Sequence, residues 1–490
     1  MQMNGYGQPR EFKKPTVKLA ALALASVIFS LILCIMIFKT VSIQVGLLLG
    51  MVFVTLISRK LGYRFNDLME LIKKSIGEST FGLWFFIAIG AIIASWMAAG
   101  TVPAIIYYGL GFISPSIFLP AGFILCVITA LCTGTSWGTV GTVGIALVGI
   151  GQGLGIPLPI TAGMIISGAI TGDKMSPVSD TPNLTSMSAG ADLYETIKAM
   201  LQTIGPAFLI TLGLFIYMGM KYGSGEANLS IINETRSVLA DNFNLNPIVM
   251  LPIAILLTLN IMKFPSLPSM AIAVIAGLVV AVVFQGASIP AALEYLNSGF
   301  EISTGSTYVD PILNRGGIQS MMWTFSVAFM ALSLGGILSK VGYMETLIKG
   351  LVTKAKTVGS LTLLVMVSSI TSTAAFGEVY LSFILNGELF KEEFDKRGLS
   401  RAMLARIVSE GGLMLAPLMP WTTFGAFTVA TLGISGFEFA PYAFMSFASP
   451  IVSVLMTYLG LAVVWNNKKN KGIKKFEDVD LSNEPDFKSI

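Results

Sequence analysis

The sequence predicts an all-α polytopic membrane protein with about ten transmembrane helices and two re-entrant hairpins. Of its 490 residues, 54% are hydrophobic and only 12% are charged, whereas about 25% of residues are charged in soluble domains. Several apolar runs reach or exceed the roughly 17–25 residues that a helix needs to cross a bilayer. This composition excludes an ordinary soluble enzyme and makes the lipid bilayer a partner of the chain.

Hydropathy places ten full spans along the chain. They are expected at 17–38, 41–58, 80–100, 157–188, 202–220, 247–262, 269–285, 318–339, 401–433 and 440–465. The first of these runs is too long for the core of a signal peptide, so we expect it to be retained as a span after a cytoplasmic tail, 1–16.

Two further apolar segments, 119–151 and 358–390, are too long for one crossing and are interrupted near the middle by small or polar residues. Each is predicted to enter and leave the membrane on the same side. With both segments treated in this way, most lysines and arginines lie on the side of the N-terminus. The positive-inside rule then places both chain termini in the cytoplasm.

The two halves of the chain share a weak internal register. Trp84 and Trp323, Gly138 and Gly377, and Gly172 and Gly411 are each separated by 239 residues. Because each half has an odd number of spans, five, the second copy would run upside down, as in many secondary transporters. We expect inverted repeats at 17–220 and 247–465, broken helices at 157–188 and 401–433, an external linker at 221–246 and a cytoplasmic tail at 466–490.

Several classes of chemistry are excluded or disfavoured by composition and motifs. The chain has no histidine, which removes Ser/His/Asp triads and HExxH metalloproteases. It has no GK[ST] motif for a P-loop, so transport would be secondary. The net charge of +4 is too small to indicate a nucleic-acid partner. The three cysteines lie in apolar runs without CxxC spacing and are expected to be core residues.

The segment 171–183, TGDKMSPVSDTPN, is the richest in chemistry. Two prolines and a glycine break the helix there, and a broken helix presents unpaired backbone groups at membrane depth. Hard oxygen ligands for a cation are offered by Ser176, Asp180, Thr181 and Asn183. Asp173 and Lys174 are expected to form a proton- or ion-carrying site. The alternatives are a structural ion pair or a segment that is a cytoplasmic loop. Lys174 would either compete with a bound cation or keep the empty site neutral.

The tips of the two hairpins and the second helix break carry further polar groups. The first tip offers Thr135, Ser136 and Thr139, which form either a ligand set or a helix-packing patch. The second tip and break offer Thr373, Glu378, Thr422 and Thr423. An intramembrane carboxylate such as Glu378 is a candidate for proton exchange. Glu410 is four residues from Arg406, so a structural ion pair is equally plausible for it.

The strings TGTSWGTVGTVG (133–144) and GDKMSPVSDTPNLTSMSAGADLY (172–194), together with a late Pro-Trp-Thr-Thr (420–423), resemble the NhaC family of bacterial Na⁺/H⁺ antiporters. The resemblance implies an elevator-type transporter of the ion-transporter superfamily, a homodimer and a bacterial cytoplasmic membrane. It places Thr135, Ser136, Asp173, Ser176, Asp180, Thr181 and Asn183 at or near the ion site. The Na⁺ ligand candidates are Ser136, Asp180 and Asn183.

The expected function is therefore Na⁺/H⁺ antiport, with Na⁺ and H⁺ as transported ions and no cofactor. The alternative is a Na⁺- and H⁺-coupled exchanger or carrier of a small organic anion, such as malate or lactate, or of an amino acid. The chain departs from the family in lacking a histidine near Thr196 and in having Pro182 where threonine is usual. An ion channel and an intramembrane enzyme are disfavoured, since broken helices in inverted repeats favour alternating access.

Overall fold

A computed structural model describes residues 12–38, 42–112, 114–177, 179–222, 227–262, 264–306, 309–352 and 355–466. The regular elements of this part of the chain are helices, and its single isolated bridge pairs Leu399 with Trp465. The first predicted tail, apart from its last few residues, and nearly all of the last one lie outside the described residues, as does the start of the span predicted at 41–58.

Eleven α-helices of the described residues precede the predicted linker. They are α1 Val17–Ile32, α2 Ile43–Arg59, α3 Phe65–Glu78, α4 Thr80–Ala98, α5 Thr101–Phe112, α6 Pro115–Thr133, α7 Ser136–Thr139, α8 Ile145–Gly153, α9 Leu158–Met175, α10 Asp180–Ala189 and α11 Leu193–Tyr222. A π-helical segment, Leu33–Phe38, prolongs α1, and a second one, Val140–Gly144, joins α7 to α8.

Thirteen helices follow in the rest of the described chain. They are α12 Ala227–Asn242, α13 Leu251–Ile261, α14 Ser266–Phe284, α15 Ile289–Ser298, α16 Asp310–Leu313, α17 Ile318–Lys340, α18 Tyr343–Val352, α19 Val358–Phe376, α20 Val379–Lys396, α21 Arg401–Met414, α22 Thr423–Leu432, α23 Gly436–Phe439 and α24 Phe444–Tyr458. Most of the predicted linker is thus the helix α12.

The helices have the length and composition of membrane spans. Among the described residues, five are long and apolar enough to cross a bilayer, and the count rises to at most nine if each bent pair is one span. The ten spans expected from hydropathy include α1, whose 16 residues are prolonged by the π-helical segment Leu33–Phe38, and α2, which has 17 residues. The fold is that of a multi-pass membrane protein.

Each predicted hairpin contains two helices that meet at a glycine in the left-handed conformation. Gly134 ends α6 with φ of 70°, and Gly377 ends α19 with φ of 68°. Glycine adopts this conformation without the steric cost that a Cβ atom brings. Gly138, which the 239-residue register pairs with Gly377, lies inside α7, and Gly134 occupies the turn.

Close packing of α6 against α9 brings the first tip to the first helix break. A Cβ atom on Gly172 would lie 2.2 Å from the Val127 carbonyl oxygen, and one on Gly168 would lie 2.7 Å from the Phe123 carbonyl oxygen. Small residues at this spacing let two membrane helices approach closely. The two glycines therefore permit the short distance between α6 and α9, the helices that lead to the first tip and the first break.

The cysteines only partly follow the expectation of core positions. Cys34 and Cys126 are buried, but Cys132 is exposed on α6. The physical reason is that a membrane helix has an apolar outer face for lipid, so an apolar run does not separate core positions from lipid-facing ones.

Candidate functional site

The first helix break lies between α9 and α10, and side chains at the break donate hydrogen bonds to backbone carbonyls. Ser176 donates a 2.7 Å hydrogen bond from its hydroxyl to the Leu131 carbonyl of α6. The Asn183 amide donates to the carbonyls of Pro177 and Ser179, at 3.0 and 2.7 Å. Side chains thus supply hydrogen-bond partners for two backbone carbonyls of the break.

Asp173, in the last turn of α9, is the centre of a cluster of hydroxyl groups. Its Oδ1 accepts a 2.5 Å bond from Ser179, and its Oδ2 accepts bonds of 2.9 Å from Ser136 and 3.2 Å from Thr181. Asp173 is only 4% exposed, and no cationic side chain of the described residues pairs with it. A buried carboxylate with neutral partners is balanced most simply by a proton or by a bound cation.

A cavity of about 20 Å³ adjoins this cluster. Its walls include Thr135 and Ser136 of the first tip, Asp173, and Tyr380 at the start of α20. This volume is enough for a water molecule or a small ion. Carboxylate and hydroxyl oxygens are hard ligands of the kind that alkali and alkaline-earth cations take.

A wider, more open cavity of about 570 Å³ lies on the other side of Asp180. Asn183 and Asp192 also line it, together with apolar side chains such as Leu184 and Met187. Asp180 is exposed to this space and makes no hydrogen bond or ion pair with another described residue. This cavity has the size of ordinary small-molecule sites.

Lys174, the next residue after Asp173, points to a different partner. Its ammonium lies 3.2 Å from the Glu410 carboxylate of α21, and both side chains are completely buried. Glu410 also accepts a 2.5 Å bond from Thr203 and lies 3.9 Å from Arg406. The ion pair therefore joins α9 to α21 and leaves Asp173 to the hydroxyl cluster.

In the second half, too, a hydroxyl group bonds to an acid between the hairpin tip and the helix break, but here the acid lies on the tip. Glu378, at the N-terminus of α20, accepts a 2.7 Å bond from the Thr423 hydroxyl of α22. The Thr423 backbone N–H donates to the Gly377 carbonyl, at 2.8 Å. In the first half the broken helix carries the acid and the tip carries the hydroxyl, whereas in the second half the tip carries the acid.

Four of the predicted site residues make contacts away from the Asp173 cluster. Thr139 donates to the Thr135 carbonyl, Thr422 caps α22 by accepting from the Gly425 N–H at 2.9 Å, and Ser176 bonds α6. Thr373 is buried in α19 without a hydrogen-bond partner for its hydroxyl among the described residues. None of these four side chains lines the narrow cavity.

Sequence reasoning missed three contributors to the site. Ser179 donates to Asp173, Tyr380 lines both cavities, and Trp137 stacks on Phe427 of α22 with ring centroids 4.6 Å apart. Ser179 lay within the segment singled out from the sequence, and its place just before a helix start is a signal for a capping hydroxyl. Nothing in the local sequence around Tyr380 points to α10.

Comparison with known proteins finds similarity to antiporters. The profile of the Na⁺/H⁺ antiporter family matches residues 12–198 and 168–461. The malate-2H⁺/Na⁺-lactate antiporter of Bacillus subtilis (strain 168) is 36% identical over 91% of this chain and 95% of its own length. The Na⁺/H⁺ antiporter NhaC of Alkalihalophilus pseudofirmus is 34% identical over 92% and 97%. The arginine/ornithine antiporter ArcD of Halobacterium salinarum is 33% identical over 91% and 93%.

Proposed function

Because the chain belongs to the Na⁺/H⁺ antiporter family, we propose that it exchanges Na⁺ for H⁺ across the membrane at Asp173. The observation that carries the proposal is the setting of this carboxylate, which is buried and surrounded by three hydroxyl donors. Burial makes a bare negative charge costly, so the group is stable with either a proton or a cation. Na⁺ and H⁺ cannot occupy this carboxylate at the same time. Each ion therefore binds on one side of the membrane and is released on the other, and the two ions are exchanged.

The donor set suits Na⁺ as the first substrate. Ser136 and Thr181 supply hydroxyl oxygens beside Asp173, and Thr135 lines the same cavity. Asp180 stands at the boundary of the cavity, and Asn183 stabilises the break behind it. The cavity of about 20 Å³ is too small for an organic acid. We therefore assign the ion site to these residues and add Ser179.

The remaining predicted residues are assigned to the structure that surrounds the ion site. Lys174 neutralises Glu410, and Ser176 holds the break against α6. Glu378 and Thr423 join the second tip to the second break, and Thr422 caps the helix that follows. Thr139 and Thr373 are assigned to helix packing around the two tips.

The proposed architecture is two inverted repeats that form an elevator-type homodimer in the bacterial cytoplasmic membrane, with both termini in the cytoplasm. Its support is the matching order of a helix pair joined at a glycine followed by a broken helix, once in each half. Alternating access at such a site is transport, not catalysis, and the protein is accordingly assigned no enzymatic reaction.

A second candidate is exchange or uptake of an organic solute together with Na⁺ and H⁺. It is favoured by the wider cavity of about 570 Å³, which has room for a small acid or an amino acid. It is also favoured by the malate/lactate and arginine/ornithine relatives, at 36% and 33% identity. In this case the organic solute would occupy the wider cavity while Na⁺ or H⁺ occupies Asp173.

The test uses the purified full chain in liposomes with a trapped pH dye. A pulse of external Na⁺ should raise the internal pH without any organic solute, because Na⁺ enters as H⁺ leaves. The same pulse is then repeated with malate, lactate, arginine and ornithine. A pH change that requires one of these solutes would overturn Na⁺/H⁺ exchange as the core activity and establish the second candidate.

A further inference from the structure

Among the described residues, the two cavities of the site have two lining residues in common, Asp180 and Tyr380. Asp180 is the first residue of α10, and Tyr380 is the second residue of α20. The narrow cavity beside Asp173 and the wider, open cavity therefore adjoin at this pair. A solute that moves between them passes between one residue of the first half and one of the second.

We propose that Asp180 and Tyr380 form a doorway that determines the specificity of the protein, which passes cations and rejects organic anions. This inference rests on the proposed function, since it concerns the route to the proposed ion site. The proposal adds Tyr380 to the site and specifies that the accepted solute carries a positive charge.

The charges around the doorway favour a positive solute. Asp180 and Asp192 line the wider cavity, whereas no lysine or arginine of the described residues lines it. Two basic groups on the adjoining elements are already engaged. Arg401, 3.5 Å from the Gly190 carbonyl, is paired with Asp395 at 2.6 Å, and Lys198 is paired with a neighbouring glutamate. A carboxylate solute would meet uncompensated negative charge, which is unfavourable by Coulomb's law.

The phenol ring suits the same solute. Tyr380 is 39% exposed, and its hydroxyl has no hydrogen-bond partner among the described residues. The face of an aromatic ring attracts cations, including ammonium and guanidinium groups. The doorway thus contains a carboxylate and an aromatic ring, both of which can favour Na⁺ or an organic cation over malate or lactate.

The test measures access to the narrow cavity with a reporter cysteine, Leu413→Cys, in a chain whose native cysteines have been replaced by alanine or serine. Leu413 lines the narrow cavity without belonging to the hydroxyl cluster. The control reporter is Met187→Cys, since Met187 is 71% exposed in the wider cavity. Because the narrow cavity does not admit organic reagents, two small inorganic thiol probes are compared, the cation Ag⁺ and the linear anion Ag(CN)₂⁻.

We expect the ratio of cationic to anionic labelling rates to be at least about tenfold higher at position 413 than at position 187. Asp180→Asn should remove this difference. Tyr380→Ala should speed labelling at position 413 by both reagents, while Tyr380→Phe should leave it unchanged because the ring fills the doorway. Equal charge ratios at the two positions, or no acceleration in Tyr380→Ala, would overturn the proposal.

The design separates this inference from the proposed function and from misfolding. Labelling at position 187 and monodisperse elution show that each variant is folded, and if Tyr380→Ala fails them the Asp180→Asn arm decides. Labelling as expected in a protein without Na⁺-dependent pH changes would contradict the proposed function alone. Normal Na⁺/H⁺ exchange with no charge preference at position 413 would contradict the doorway alone.

Discussion

The Lys174 ammonium lies 3.2 Å from the Glu410 carboxylate, and this completely buried pair joins the first broken helix to the second. Arg406 approaches the same carboxylate at 3.9 Å and is also buried. The group therefore contains two cationic side chains and one anionic side chain. Its stability depends more on Glu410 than on either of its partners.

Removal of the two partners should have unequal effects. Glu410→Gln leaves Lys174 and Arg406 buried without a counter-charge, and we expect a loss of about 3–5 kcal/mol in the free energy of unfolding. Lys174→Met leaves Glu410 with Arg406 and the Thr203 hydroxyl, so its loss should be clearly smaller. Melting temperatures of the purified variants in detergent measure the difference.

The matched control for the buried pair is the exposed pair of Glu195 and Lys198, 2.8 Å apart on α11. Glu195→Gln should leave the melting temperature nearly unchanged, because surface ion pairs contribute little to stability. A melting temperature for Glu410→Gln equal to that of Lys174→Met would show that the charge balance described here is wrong.

Ser179→Ala should weaken the apparent affinity for Na⁺. The Ser179 hydroxyl donates a 2.5 Å bond to Asp173 and lines the narrow cavity. A hydrogen bond to a charged group contributes about 1.5–3 kcal/mol, so the Na⁺ concentration that gives half-maximal exchange should rise at least about tenfold. Ser188→Ala is the control, because Ser188 lies on α10 but donates to the Thr185 carbonyl. Equal shifts in both variants would count against the assignment.

Gly172→Ala should disrupt the site through the backbone. The added Cβ atom would lie 2.2 Å from the Val127 carbonyl oxygen, so α9 must move away from α6 and carry Asp173 away from Ser136. We expect loss of exchange together with a lower melting temperature. Gly213→Ala on α11 is the control, since nothing lies within 4 Å of its added Cβ atom. Normal exchange in Gly172→Ala would contradict the close packing.

Thr423→Val should destabilise the junction between the second tip and the second break. The change removes the hydroxyl that donates to Glu378 and leaves a buried carboxylate oxygen unsatisfied, which costs about 1–3 kcal/mol. Thr423→Ser restores the hydroxyl and should recover most of the melting temperature. If serine behaves like valine, the hydrogen bond is not what holds the junction.

The sequence predicted those parts of the fold and site that depend on local chemistry. The glycine turns, the break at 176–179 and the acidic and hydroxyl residues around it were all visible, because breakers and polar groups stand out in apolar runs. The partner of Lys174 was not visible, since Glu410 lies on a helix more than two hundred residues away. Tyr380 was missed for the same reason: its role depends on the approach of α20 to α10.

Within the predicted first tip, 133–139, the sequence does not show which glycine makes the turn. Both Gly134 and Gly138 lie near the middle of the segment, and only the backbone conformation distinguishes them. Gly134 has φ of 70°, which a residue with a Cβ atom rarely adopts, whereas Gly138 is helical. Composition alone cannot separate a glycine that makes a turn from one that permits close packing.

The most direct test of the central claim compares Asp173→Asn with Asp241→Asn in liposomes that contain a pH dye. Asparagine keeps the shape of Asp173 but can neither exchange a proton nor balance a Na⁺ ion, while Asp241 is an exposed residue of α12. We expect external Na⁺ to raise the internal pH with Asp241→Asn as it does with the unmodified protein, and to leave it unchanged with Asp173→Asn. Undiminished Na⁺-dependent proton movement in Asp173→Asn would contradict the assignment of Asp173 as the exchange site.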